Sequence, residues 1–131
     1  MIQFTPHMRI LVATHALDMR KGIDGCVALC RQVLRENPMS GVVFLFISRR
    51  RRHLRVLTYD GQGFWLCTKR LSAGRFPHWP KSGKGVEVEF TLQLEAYQAQ
   101  VLLQGGDPMQ VRTLGAWKKI RENPIFSTGV A

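Results

Sequence analysis

Four consecutive arginines, Arg49 to Arg52, are the residues of this chain with the clearest chemical meaning. They stand between two apolar stretches, and Lys69, Arg70 and Arg75 follow after a turn signal and an aromatic-rich segment. Because guanidinium and ammonium groups bind phosphate oxygens, so compact a block of one charge sign favours a polyanionic partner. The alternative is a charged face that only keeps the protein soluble, although solubility does not require a block of a single sign.

The net charge of +10 on 131 residues is concentrated in the middle of the chain. Residues 1 to 48 hold five basic and three acidic side chains, residues 49 to 84 hold ten and one, and residues 85 to 131 hold four and five. A localised basic surface of this kind is the electrostatic footprint of nucleic-acid binding. The residues predicted to bind nucleic acid are Arg49, Arg50, Arg51, Arg52, Arg55, Lys69, Arg70, Arg75, Arg20 and Lys21.

Aromatic side chains accompany the cations. Phe76 and Trp79 alternate with basic residues in a segment from 72 to 85 whose composition predicts a loop, and Trp65 lies on the strand predicted before it. Rings interleaved with cations suit a segment that grips a phosphate backbone and stacks on bases, so these three are the candidate stacking residues. The alternative is that Phe76 and Trp79 close the edge of the core, and the sequence leaves both possibilities open.

The acids near the basic region are too few for two-metal chemistry, which needs several converging carboxylates. Asp18, Asp24 and Asp60 are the candidates, and each has a structural interpretation as a helix cap, a solvent-facing helix position or a hairpin turn. Tyr59 lies downstream of arginines, as a tyrosine nucleophile would, but a packed aromatic is the usual role on a hairpin strand. The sequence therefore predicts binding without catalysis, and neither a metal nor a cofactor.

The three cysteines indicate a reducing compartment. Cys26, Cys30 and Cys67 are odd in number and stand among apolar neighbours, which is typical of buried free thiols. Cys26 and Cys30 are one helical turn apart, but no C-x-x-C and no histidine pair supports a metal site there. No stretch reaches the roughly 18 apolar residues of a membrane span, and the N-terminus lacks a signal-peptide layout. We expect a cytoplasmic protein with no membrane partner.

The elements that must position these side chains are predicted to form one α+β domain. It covers residues 1 to 108, and residues 109 to 131 are predicted to be a loosely attached or disordered tail. Apolar residues at helical spacing predict two amphipathic helices, at about 19 to 36 with Asp18 as N-cap and at about 92 to 104 with Thr91 as N-cap. Leu94, Tyr97 and Val101 are predicted to face inward from the second helix.

An antiparallel sheet of about four to five strands is predicted beside the helices, with strands at about 9 to 14 and 86 to 90. Residues 42 to 70 read as a three-stranded meander, since a continuously apolar run is followed by two strands joined at Asp60-Gly61. The third strand returns toward the arginines, so we expect Lys69, Arg70 and Arg75 beside them. Strict alternation gives the face predicted to pack on the helix: Leu57, Tyr59, Phe64 and Leu66.

One ordered series of motifs closely resembles the TnpB-type small accessory protein, the second open reading frame, of the insertion-sequence-66 transposon family. The series runs Asp18-Met19-Arg20-Lys21-Gly22-Ile23-Asp24-Gly25, the arginine hairpin, Tyr59-Asp60-Gly61, Gly63-Phe64, Leu66, Lys69-Arg70-Leu71 and Gly74-Arg75-Phe76. The resemblance covers about residues 9 to 104. It implies a part in DNA transposition, a form of DNA recombination, beside a larger transposase that carries the strand-transfer chemistry.

The function predicted from residues and resemblance together is a non-enzymatic accessory protein for transposition of such an element. It would bind transposon DNA through the arginine hairpin, with the element-encoded transposase and another accessory protein as further partners. Two alternatives remain open: an adaptor that binds the transposase through Trp65, Trp79 and the C-terminal tail, and a metal-dependent nuclease. The sequence leaves the oligomeric state open.

Overall fold

One mixed sheet flanked by helices makes up the computed structural model, which describes residues 3–81 and 89–110. The strands are β1 (Ile10–Ala13), β2 (Val43–Ile47), β3 (His53–Tyr59), β4 (Phe64–Arg70) and β5 (Thr91–Leu94), in the spatial order β4-β3-β2-β1-β5. The helices are α1 (Ile23–Gln32) and α2 (Ala96–Leu103), and a 3-10 turn follows at Pro108–Gln110. The β1–β2 pair is parallel and the other pairs are antiparallel. The predicted α+β class is confirmed.

The meander is formed as the alternation predicts. Every residue of β2 is buried, because this strand is covered on both faces of the sheet. β3 and β4 pair along their whole length, from His53 opposite Arg70 to Tyr59 opposite Phe64. Asp60 closes the turn between them, since its carboxylate accepts hydrogen bonds from the next N–H groups along the loop and Gly61 takes a positive φ of 95°.

The sheet separates two apolar clusters, one on each face. Leu57, Phe64 and Leu66 lie on the face that packs against α1, as expected. The opposite face is covered by α2 and by the segment from 71 to 80, which contributes Phe76 and Trp79. The helices therefore lie on opposite sides of the sheet, and the end of the sheet where β2 turns into β3 lies between the two layers.

The first helix begins later than predicted, and Asp18 is not its N-cap. The Asp18 carboxylate instead accepts hydrogen bonds from the backbone N–H and the guanidinium of Arg20, and the N–H of Lys21 donates to the Asp18 carbonyl. This local turn competes with the helix, as aspartate side chains commonly do. The helix starts only after Gly22, which is its extended N-cap, and it ends at Gln32, before the predicted residue 36.

The second helix was also predicted too early. Thr91 caps no helix but begins β5, where it pairs with Ala13. Glu95 is the N-cap, and it forms a reciprocal capping box with Gln98. The buried residues of α2 are Ala99, Leu102 and Leu103, whereas Tyr97 and Val101 are half-buried and Leu94 is buried from the strand. Residues 91 to 94 form a strand because they pair with β1, which is far away in sequence. The periodicity of apolar residues could not predict that pairing.

Two predictions fall mostly outside the described residues. Most of the strand predicted at 86 to 90 lies there. So does most of the predicted C-terminal tail, of which only residues 109 and 110, within the 3-10 turn, are described. In the part of the chain that the structure describes, the helices are too short and not apolar enough to cross a bilayer.

Candidate nucleic-acid interface

The four arginines form the loop between β2 and β3, and Ser48 holds its shape. Ser48 is 7% exposed, and its Oγ accepts hydrogen bonds of 3.1 Å from the backbone N–H groups of both Arg52 and His53. The N–H of Arg51 donates to the Ser48 carbonyl at 2.9 Å. Arg51 has a φ of 60°, a left-handed backbone conformation that few residues other than glycine adopt. The arginine loop is thus fixed by hydrogen bonds at its base.

The segment after β4 crosses this loop and is bonded to it. The N–H of Leu71 donates to the Arg52 carbonyl at 3.0 Å, and the N–H of Phe76 donates to the Arg51 carbonyl at 2.8 Å. Arg70 lies opposite His53 in the β3–β4 register. These contacts bring Arg70 and Arg75 to the arginine loop from another part of the chain.

Two open grooves, each of about 490 Å³, lie against the loop. Both are lined by Arg49, Arg50 and Arg52. Arg70 joins them in the first groove, with residues 16–20, and Arg75 joins them in the second. Six exposed arginines line these grooves, and Arg20 is the one bonded to an acid. We call the other five the cationic patch: Arg49, Arg50, Arg52, Arg70 and Arg75. We expected Lys69, Arg70 and Arg75 beside the arginine run, and Arg70 and Arg75 lie there, whereas Lys69 lines neither groove.

The patch is not neutralised by the described chain. Across residues 3–81 and 89–110, its five arginines form no salt bridge. Asp18 is the one acid among the described residues that lines either groove, and its carboxylate is bound to Arg20 at 2.8 Å. The hydrogen bonds from Arg20 hold the pKa of Asp18 well below its ordinary value, while the same pair raises the pKa of Arg20. Arg20 therefore lies at the patch with its charge offset, and Lys21 follows it as an exposed cation.

Arg55 is half-exposed, and its guanidinium is bonded to the chain instead of joining the patch. Its guanidinium donates hydrogen bonds to the backbone carbonyls of Met19 and Lys21 and to Oγ1 of Thr68. It thereby fastens the turn before α1 to β3 and β4. These contacts use one N–H donor on each of the three guanidinium nitrogens, so the structure gives Arg55 a positioning role.

Lys69 is directed away from the patch as well. Because side chains alternate along β4, Lys69 lies on the α2 face while Arg70 lies on the α1 face. The Lys69 Nζ donates a hydrogen bond of 2.6 Å to the carbonyl of Leu103, the last residue of α2, and lies 5.8 Å from the ring centroid of Phe76. A cation at a helix C-terminus stabilises the exposed carbonyls there.

The three candidate stacking residues have different positions. Phe76 is fully buried, and Trp79 is 4% exposed with its indole N–H bonded to the Ala13 carbonyl at 2.9 Å. Both are core residues, as the second alternative held. Trp65 is 56% exposed, and its indole N–H donates to the Asp60 carboxylate at 2.7 Å. It lies five residues along β4 from Arg70, about 17 Å away, so it does not border the patch.

The groups considered for catalysis are engaged elsewhere or separated. Asp60 accepts hydrogen bonds from Trp65, Gly63 and Gln62, which lower its pKa. Cys26 and Cys30 are buried in the α1 layer, and burial raises the pKa of Cys30 to about 12. Within the described ranges, no three histidine, cysteine, aspartate or glutamate side chains come close enough together to hold a metal ion.

Three features of the interface were missed by the sequence reasoning: Ser48 at the base of the loop, His53 in the first groove, and the segment from Ala16 to Met19 that walls it. Leu17 forms a parallel bridge with Ser48, and its N–H donates to the Ile47 carbonyl at 2.8 Å. This contact depends on the parallel crossover from β1 to β2, and no local pattern of residues predicts it.

Comparisons with known proteins agree with the motif series. The family model described as "IS66 Orf2 like protein" matches residues 8–113. Two relatives from Sinorhizobium fredii (strain NBRC 101917 / NGR234) are similar to the chain. One, "Uncharacterized protein y4jC", is 32% identical over 90% of this chain and 88% of the relative. The other, "Uncharacterized protein y4hO", is 37% identical over 77% of this chain and 83% of the relative. No solved structure matches the chain.

Proposed function

The chain belongs to the IS66 Orf2-like family, which supports an accessory role in transposition, and from that premise we propose that it binds transposon DNA without cleaving it. The cationic patch would contact the phosphates. Its partners would be the ends of the element and the element-encoded transposase, together with any further accessory subunit. We place it in the cytoplasm, where free thiols such as those of its three cysteines persist.

The observation that carries this proposal is the convergence of five arginines from three sequence segments on one end of the sheet. Arginine presents a planar fork of donors that matches phosphate geometry, and none of the five is committed to a described carboxylate. A solubilising surface needs no such concentration of one sign. Holding these charges together costs free energy by mutual repulsion, and a polyanion would offset that cost.

The same geometry supports phosphate contact more than base readout. The loop is short and anchored at Ser48, and Trp65, the exposed member of the three candidate stacking residues, lies at the other end of β4. Phosphate contacts fix orientation on a duplex but carry no sequence information. We therefore propose that the patch binds duplexes of different sequence with similar affinity.

A non-enzymatic role is supported by the positions of the acids around the patch. Asp18 is bound to Arg20, Asp60 closes the far hairpin turn, and Asp24 is exposed on α1. Two-metal phosphoryl chemistry needs carboxylates that converge on ions about 4 Å apart. We propose that the strand-transfer chemistry belongs to the separate transposase.

The test is fluorescence anisotropy with a labelled transposon-end duplex and a scrambled duplex of equal length, repeated over a range of salt concentrations. If the five arginines each neutralise one phosphate, the slope of log affinity against log salt is about −4.5. The double variant Arg50→Gln/Arg52→Gln should weaken binding to both duplexes and reduce the slope by about 1.8.

The matched control is Arg31→Gln/Arg35→Gln, which removes the same charge from exposed residues in the last turn of α1 and just after it. It should leave the slope unchanged. Equal losses from both double variants would mean that only net charge matters, and binding without salt dependence would refute phosphate contact. Cleavage of either duplex in the presence of magnesium or manganese, abolished by Asp18→Ala or Asp24→Ala, would refute the non-enzymatic role.

A further inference from the structure

The outer edge of β4 is open. β4 is the last strand of the sheet, so no other described strand pairs with its outer side. The N–H of Leu71 and the carbonyl of Gly63 both bond inward, across to the β3 side. Successive residues of a strand direct their N–H and C=O groups to opposite edges. The residues of β4 whose groups point outward are therefore Phe64, Leu66, Thr68 and Arg70. An edge of this length is a template for another strand.

The sequence of β4 is antisymmetric about its central residue. Phe64 and Trp65 stand at one end, Lys69 and Arg70 stand at the other, and Cys67 is the midpoint. If two copies of this strand pair antiparallel about Cys67, every cation lies opposite an aromatic ring: Arg70 opposite Phe64 and Lys69 opposite Trp65. A parallel pair would put like charges side by side, which destabilises a sheet.

The hydrogen-bonding pattern of the edge fits the same register. Pairing about Cys67 makes Leu66 and Thr68 of the two copies hydrogen-bonded partners, and likewise Phe64 and Arg70, and these are the four outward-pointing residues. With two bonds exchanged in each such pair, the joined edge gains about eight backbone hydrogen bonds. Cys67 then meets Cys67 of the partner subunit in a pair without hydrogen bonds, where side chains approach most closely.

The α2 face of β4 is also shaped for this contact. Two apolar grooves meet at Cys67, one of about 230 Å³ running to Lys69 and Leu103, and one of about 280 Å³ running to Trp65 and Phe4. In the antiparallel register, Trp65 of the partner subunit lies opposite Lys69 and so covers the first groove. The indole is already held in place by Asp60, so little conformational freedom is lost when it is covered.

From these observations we propose that β4 pairs with β4 of a second copy of this chain, antiparallel and centred on Cys67, so that two sheets join into one. The interface is isologous, as in most symmetric dimers. It uses the end of β4 that holds Trp65 as well as the end that holds Arg70, and it leaves the arginine loop of each copy outside the contact. The inference does not rest on DNA binding, and its tests contain no DNA.

The first test measures molar mass by light scattering under reducing conditions, for the wild type, Thr68→Pro and Thr68→Ala. Both substitutions remove the hydroxyl that accepts a hydrogen bond from Arg55, but only proline removes the outward N–H. The wild type and Thr68→Ala should be dimers, and Thr68→Pro should be a monomer with an unchanged far-UV spectrum. A wild type that is monomeric at every concentration overturns the proposal. This holds also for a monomer whose β4 edge pairs with a strand of another protein.

The second test fixes the register and does not depend on the folding of the proline variant. In a Cys67→Ser background, Trp65→Cys and Lys69→Cys are oxidised separately and as a mixture. The mixture should give a mixed disulfide dimer, and each variant alone should give little. Gln32→Cys, exposed on α1, measures random collision. The antiparallel register is overturned if Trp65→Cys cross-links with itself as efficiently as with Lys69→Cys. It is also overturned if the mixture gives no more disulfide dimer than Gln32→Cys does.

Discussion

Replacing Arg55 with glutamine should destabilise the protein and leave the salt dependence of DNA binding unchanged. In the structure the guanidinium holds the turn before α1 through the carbonyls of Met19 and Lys21, and it holds β4 through Thr68. Glutamine is shorter, and its single amide nitrogen cannot replace the three guanidinium nitrogens that donate these hydrogen bonds. A phosphate-binding arginine would behave in the opposite way, so the substitution separates the two roles.

The expected magnitude follows from the bonds that are lost. Hydrogen bonds from a charged donor contribute about 1.5 to 3 kcal/mol each where water is excluded. Arg55 is half-exposed and the freed carbonyls can bind water, so about 1 kcal/mol for each of the two backbone contacts is appropriate. The loss of about 2 kcal/mol should lower Tm by roughly 6 to 12 °C in a domain of this size.

The assay pairs thermal unfolding with the salt series for each of two variants. Arg55→Gln should lower Tm by the amount given above and keep a slope of about −4.5 at temperatures where it is folded. Arg50→Gln, at an exposed position of the cationic patch, should keep Tm and reduce the slope by about 0.9. Because both substitutions remove one positive charge, net charge cannot account for a difference between them.

A positioning role for Arg55 would be refuted if Arg55→Gln kept the wild-type Tm and reduced the slope by about as much as Arg50→Gln does. Arg55 would then be a phosphate ligand, and its contacts to the turn before α1 would be incidental. A drop in Tm together with a reduced slope would show that the turn carrying Arg20 and Lys21 contributes to the DNA contact through its position.

Three further outcomes are expected. Ser48→Ala should cost about 1 to 3 kcal/mol in urea unfolding, because two N–H groups of the arginine loop lose their buried acceptor, and Ser48→Gly should not rescue it. Trp79→Phe should cost about 1 kcal/mol through the lost bond to the Ala13 carbonyl, and DNA affinity measured by anisotropy should not change. In the Thr68→Pro monomer, whose β4 edge is uncovered, a thiol reagent should label Cys67 first, since this thiol is only half-buried within the subunit. Cys30 should react only on unfolding, because burial raises its pKa to about 12. Since the folded protein holds this thiol neutral, the free energy of unfolding should fall as pH rises from about 9 toward about 12.

The central meander could be predicted from sequence because its signals are local. A continuously apolar run, an Asp-Gly turn and strict alternation fix which strands pair and which side chains share a face. The position of Arg70 follows from that register, since the strand that leaves the arginines must return to them. The segment after it, which carries Arg75, is then too short to travel far.

Long-range contacts decided what could not be predicted. Thr91 to Leu94 pairs with β1, from which it is separated by most of the chain, and that pairing overrides the helical spacing of its apolar residues. Arg55 and Lys69 read as members of a basic run, but each strand turns alternate side chains to opposite faces, and on those faces they meet backbone carbonyls of distant segments. Charge patterning shows that a cation exists but does not show what it touches.

If the protein both binds DNA and forms the proposed dimer, the salt slope shows whether one duplex contacts both cationic patches or each patch binds its own duplex. In the antiparallel register, Arg70 lies opposite Phe64 of the partner subunit, so the two copies of Arg70 are six residues apart along the joined strands, about 20 Å. If one duplex spans both patches, about ten phosphates are neutralised and the slope approaches −9. Thr68→Pro, which leaves all five arginines in place, should then return it to about −4.5. If each patch holds its own duplex, the wild type and Thr68→Pro should share the lower slope, and only the number of duplexes bound per particle should differ.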